Sequence, residues 1–129
     1  MKIVDRKTFL AMAEGIIFSR YLAQGFSYLA PGFPFGELCI KAETFSHGVV
    51  GDFYFRRIAS SIKFDNWDEY FSIMADAYIS GNSIPMDFDC QDRDGFFGDG
   101  QLFAIWEEPD IRAFTERLRQ AFLASKKEL

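Results

Sequence analysis

Glu37-Leu38-Cys39-Ile40-Lys41-Ala42-Glu43-Thr44-Phe45, and after a short interval Phe53-Tyr54-Phe55-Arg56-Arg57-Ile58, decide the fold class. In an extended chain successive side chains point to opposite faces. Leu38, Ile40 and Ala42 then share one side, and Glu37, Cys39, Lys41 and Glu43 share the other. That period of two predicts a half-buried strand with Leu38, Ile40 and Ala42 facing the core. The aromatic run 53–58 is rich in strand formers. His47-Gly48 and Gly51-Asp52 supply turn chemistry between the two runs. The region 37–58 therefore predicts an antiparallel hairpin.

Working outward, Ile16-Ile17-Phe18-Ser19-Arg20-Tyr21-Leu22 reads as a further strand. Leu102-Phe103-Ala104-Ile105-Trp106 is apolar on both faces, which predicts an inner strand covered on both sides. Residues 83–91 alternate again, with Ile84, Met86, Phe88 and Cys90 on one side, and Pro85 assigns them to a sheet edge. A short helix is expected from Asp5, as N-cap, to Met12, closed by Gly15. Asn66, with Glu69 three residues on, has the spacing of an N-cap and its reciprocal partner. Trp67, Tyr70, Phe71, Met74, Tyr78 and Ile79 follow at helical spacing, and Gly81 stops the helix. A last helix starts at Pro109 after Glu108, with a stripe of Ile111, Phe114, Leu118, Ala121 and Phe122. Strands that cluster without βαβ alternation predict an α+β class. The expected architecture is one domain over residues 1–129. It has a mainly antiparallel sheet of about five strands, two amphipathic helices packed on one face and a short N-terminal helix.

The chain has 129 residues, of which 49% are apolar and 18% aromatic, with 16 Phe. A Phe ring has no polar handle and belongs in a core or an interface. A single domain of this size is not expected to hide every ring, and exposed apolar patches mark partner contacts. Two loops carry candidate contact residues. The first, 23–36, places Phe26, Tyr28, Phe33 and Phe35 among Gly25, Pro31, Gly32, Pro34 and Gly36. The second places Phe96 and Phe97 among Asp92, Asp94 and Asp99. Charge is also uneven. Residues 1–63 hold eight basic and five acidic side chains, whereas 64–108 hold one basic and eleven acidic. Such an acidic block repels phosphate backbones, so no nucleic acid is expected as partner.

The chemical motifs are sparse. Asp92-Arg93-Asp94-Gly95 resembles a piece of a calcium loop, but the register puts Cys90 at the first ligand position and Gln101 at the twelfth. Both are wrong for an EF-hand. A looser cation site from Asp87, Asp89, Asp92 and Asp94 is the remaining metal possibility. His47 is the only histidine and is expected in a turn. No GxGxxG, Walker A or HExxH segment occurs. Cys90 is expected to be buried filler. Cys39 is expected on the polar face, where Lys41 lowers its pKa. The adjacent Arg56 and Arg57 fall on opposite faces, which splits any basic-aromatic patch. No secretory or membrane-spanning stretch is present, so a cytoplasmic location with reduced thiols is expected.

Several segments resemble a group of short uncharacterised proteins encoded by tailed phages and bacterial prophages. They are Met1-Lys2-Ile3-Val4-Asp5-Arg6-Lys7-Thr8-Phe9-Leu10, Phe35-Gly36-Glu37-Leu38-Cys39-Ile40-Lys41, Ser83-Ile84-Pro85-Met86-Asp87-Phe88-Asp89, Asp94-Gly95 and Gln101-Leu102-Phe103-Ala104-Ile105-Trp106-Glu107. The resemblance implies a phage-borne accessory gene working in a bacterial cytoplasm, and it assigns no catalytic residue.

The expected function is a non-enzymatic accessory or protein-interaction module that binds a protein partner or itself. No cofactor and no membrane are expected. A small-molecule or cation-binding domain, with the aromatic loop as lid, is the alternative, and an enzyme comes third.

Overall fold

The computed structural model describes residues 1–21, 35–47, 50–95 and 100–126. Its main sheet has six strands: β1 (Lys2–Asp5), β2 (Ile17–Tyr21), β3 (Cys39–His47), β4 (Val50–Arg57), β7 (Asp92–Arg93) and β8 (Leu102–Ile105). β5 (Ser61–Ile62) and β6 (Met86–Asp87) form a small second sheet. The helices are α1 (Arg6–Leu10), α2 (Trp67–Ser80) and α3 (Glu108–Lys126). The main sheet runs β1-β8-β2-β3-β4-β7, and every pairing is antiparallel. The α+β class with a mainly antiparallel sheet is as expected, with six strands in place of about five.

The last strand, β8, inserts between β1 and β2. The chain must therefore cross over β8 on its way from β1 to β2, and α1 makes that crossing. Asp5 caps α1 by accepting a 2.8 Å hydrogen bond from the Thr8 amide. Phe9 projects from α1 onto the sheet and is fully buried. Its ring stacks on Phe103 of β8 at 4.1 Å between centroids and 8° between planes. It also meets Phe18 at 4.7 Å and Phe53 at 4.9 Å. Phe55, Cys39 and Ile105 complete this core. Offset and edge-to-face rings give such a cluster directional packing beyond simple area burial.

Four sequence-based expectations need correction. First, the inward face of β3 is the opposite one. Cys39 and Lys41 are buried, whereas Leu38, Ile40 and Ala42 are half-buried. Lys41 tolerates this because its ammonium donates to Met12 O at 3.0 Å, to Thr44 Oγ1 at 2.6 Å and to Ala42 O at 3.4 Å. A bulge between Lys41 and Thr44 then shifts the β3 register. Second, residues 83–91 do not form a long edge strand. Only Met86–Asp87 pair, with β5, and Phe88 is exposed. The main-sheet edge is instead β7, which lies in the stretch read as loop. Third, residues 2–5, where no strand was expected, form β1, the edge of the main sheet opposite β7. Fourth, among the described residues α2 and α3 contribute no side chain to the buried core. Neither helix has a buried residue.

The helix ends behave as their sequences dictate. Asn66 Oδ1 accepts from the Glu69 amide at 2.8 Å, and Glu69 reaches back to the Asp65 amide. Gly81 closes α2 with φ of 70°, a left-handed conformation that costs glycine little. At α3 the cap falls one residue earlier than expected. Glu107 donates its amide to Asp110 Oδ2 and accepts from the Ile111 amide.

Candidate functional site

The acidic segment after β6 divides into pinned and free carboxylates. Asp94 is buried, and two arginines hold it: Arg6 Nη1 donates to Oδ2 at 2.9 Å and Arg20 Nη2 donates to Oδ1 at 2.6 Å. Asp52 is fully buried beside it. It accepts from Arg93 Nε at 2.6 Å and from the amides of Phe53 and Gly95. Arg6 links the two carboxylates, lying 3.5 Å from Asp52 Oδ1 and donating to Gly51 O. Burial pushes the Asp52 carboxyl up. The Arg93 hydrogen bond, the two amides and the Arg93 charge together outweigh burial and hold it below the usual carboxylate range. Asp92 pairs with Arg57, which also donates to Glu37 at 2.8 Å. These ion pairs fasten β1–α1, β2, β4 and β7 to one another. Asp94 and Asp92 are thus already charge-compensated by arginines, which disfavours the looser cation site at these two residues. Among the described residues, no group of three or more His, Cys, Asp or Glu side chains is placed to hold a metal.

Cys39 is buried, and this corrects the expected accessible thiol with a lowered pKa. Burial first, and then the charge of Glu37, push its pKa up to about 11, against the opposing pull of Arg20 and Arg57. Lys41 is turned into the fold and saturated. Its three hydrogen bonds hold the ammonium inside the fold, and the charges that shift the thiol are those of Glu37, Arg20, Arg57 and Asp92. Cys90 is half-buried rather than buried.

Of the expected contact residues, Phe35 lies against the sheet, 6.0 Å from the Tyr21 ring and 6.2 Å from Trp106. Phe35 thus packs on the Tyr21 side of β2, whereas Asp94 is held by Arg20, whose side chain points to the alternate face. Phe26, Tyr28, Phe33, Phe96, Phe97 and Asp99 lie outside the described residues.

Among the described residues, an exposed apolar surface lies on α2, where the helical spacing predicted a core-facing stripe. On α2, Trp67 is 66% exposed, Phe71 64%, Tyr78 91% and Ile79 79%. Trp67, Phe71 and Tyr78 occur at i, i+4 and i+11 and so share one helix face, at 100° per residue. The half-buried side chains Tyr70, Ile73 and Ala77 lie round the helix from them, with half-buried Met74 at the border. Phe64 packs edge-on to Tyr70 and 5.5 Å from Trp67, extending the aromatic face beyond the helix start. On α3, Leu118, Phe122 and Leu123 are exposed. An apolar groove of about 370 Å³ runs between Phe114 and Leu118 of α3 and Leu38, Ile58 and Ala59 of the body. The signal that pointed here in the sequence was the excess of rings. The periodicity identified the stripe but not what covers it.

Comparison of the chain with protein-family models, with curated proteins and with solved structures finds no match. No helix among the described residues is long and apolar enough to cross a membrane.

Proposed function

We propose that this chain is a non-catalytic protein-interaction module whose contact surface is the aromatic face of α2, extended by the exposed apolar side chains of α3. The observation that carries this reading is the exposure of Trp67, Phe71 and Tyr78 on one helix face. Rings left in water forgo roughly 1.5–3 kcal/mol each that burial would contribute, so such a face gains by being covered. Contiguous exposed patches of this kind mark interaction sites. The likeness of several segments to phage and prophage proteins fits an accessory role exercised through protein contact.

The test is the triple variant Trp67→Ser, Phe71→Ser, Tyr78→Ser, studied by thermal and urea unfolding of dilute protein. A contact surface predicts that stability changes by less than about 1.5 kcal/mol, the range of exposed substitutions. A loss of more than about 4 kcal/mol, as for emptied core sites, would place the rings in the protomer's own core and end the proposal.

A further inference from the structure

The charges around the two exposed helix faces are opposite in sign. α2 carries Asp68, Glu69 and Asp76 and no basic residue. From Arg117 to Lys126, α3 carries Arg117, Arg119 and Lys126 and no acidic residue. α2 is thus wholly acidic, whereas the C-terminal half of α3 is net basic, with Glu116 paired to Arg119 and Arg117 and Lys126 in excess. The groove between Phe114, Leu118, Leu38 and Ile58 lies at the start of the basic half of α3 and is large enough for an aromatic side chain.

We infer that the partner is a second copy of this chain, and that α2 of each copy docks on the basic half of α3 of the other. This rests on the reading of α2 as a contact face. Trp67 and Phe71 enter the groove beside Leu118, and Tyr78 continues along Phe122. Asp68 and Asp76 then approach Arg117 and Arg119 of the partner. A two-fold axis makes the contact twice, which is the isologous arrangement favoured in closed homodimers. The area is adequate. At about 200 Å² a ring, Trp67, Phe71, Tyr78 and Phe122 leave about 550 Å² in water. Leu118 raises this to about 650 Å² per copy, at the lower end of one side of a stable interface. Opposite charges at the rim fix register and exclude the α2–α2 pairing, in which three carboxylates would face three.

Sedimentation and light scattering over concentration, with a charge-exchange pair, test this. The wild-type chain is expected to be dimeric at about 100 μM and to dissociate on dilution. The variants Asp68→Lys/Asp76→Lys and Arg117→Glu/Arg119→Glu are each expected to dimerise at least about tenfold more weakly. Mixed together they should form a one-to-one heterodimer, since each mutated face then meets its opposite. Raising salt should weaken the wild-type dimer and leave its fold intact. A wild-type chain that stays monomeric at about 100 μM overturns self-pairing, as does a mixture that forms no heterodimer. Unchanged stability of the triple serine variant alongside either result would leave the contact-face reading standing, with a different protein as its occupant.

Discussion

Asp94 and Arg6 stand 88 residues apart in the chain and are joined by a 2.9 Å hydrogen bond in the buried part of the fold. The pair fastens the segment after β7 to the first helix. Removing one partner of a buried ion pair leaves the other charge uncompensated. Asp94→Ala is therefore expected to lower the unfolding free energy by about 3 kcal/mol, measured by urea denaturation. The same substitution at exposed Asp89 should cost less than about 0.5 kcal/mol. Equal effects at the two sites would remove the structural role assigned to Asp94.

The neighbouring carboxylate gives a pH signature. Asp52 has its folded-state pKa held below the ordinary value of 3.8. Its stabilisation is thus fully present above that value and is lost as pH falls through the lower, folded value. Urea midpoints should fall more steeply below about pH 4 in the wild type than in Asp52→Asn, which cannot titrate. Parallel acid limbs in the two proteins would show that Asp52 contributes no such linkage.

Aromatic substitutions should separate the two populations of rings. Phe9 is fully buried between Phe18, Phe53 and Phe103, so Phe9→Ala is expected to cost about 3–5 kcal/mol. Phe71, mostly exposed, should cost under about 1 kcal/mol in dilute protein. Chemical denaturation of both variants decides the matter, and similar losses would contradict the placement of Phe71 outside the core.

Thiol chemistry reports the inverted face of β3. With its pKa pushed up to about 11, Cys39 is protonated at neutral pH and shielded from solvent. A disulfide reagent should modify Cys90 first and reach Cys39 only as the protein unfolds. Because the folded thiol holds its proton above the ordinary value of 9.0, Cys39 also subtracts stability as pH rises from that value towards about 11. Fast modification of Cys39 in the native state would restore the accessible thiol read from the alternation.

The sequence carried the strand-rich α+β class, the β3–β4 hairpin, the inner position of β8 and the caps at Asp5, Asn66 and Gly81, because each depends on local spacing or local hydrogen bonding. Alternation in 37–45 located a strand but assigned its faces wrongly. Burial of Lys41 is decided by three acceptors, among them Met12 O and Thr44 Oγ1, whose positions only the folded chain fixes. Asp94 looked like a solvated loop acid because its two arginines lie 88 and 74 residues away in sequence. β1 is only four residues long with a charge at each end, and its pairing with β8 is a tertiary fact. Helical spacing in 67–79 likewise identified an apolar face without specifying whether the chain's own sheet or another molecule covers it.

Acrylamide quenching of Trp67 fluorescence, in a Trp106→Phe background and across a range of protein concentrations, reads the α2 face most directly. An exposed stripe that association covers predicts efficient quenching in dilute protein and progressive shielding as concentration rises. Quenching that is weak even at the highest dilution would mean that Trp67 is already packed inside a single protomer, and the contact face would not exist.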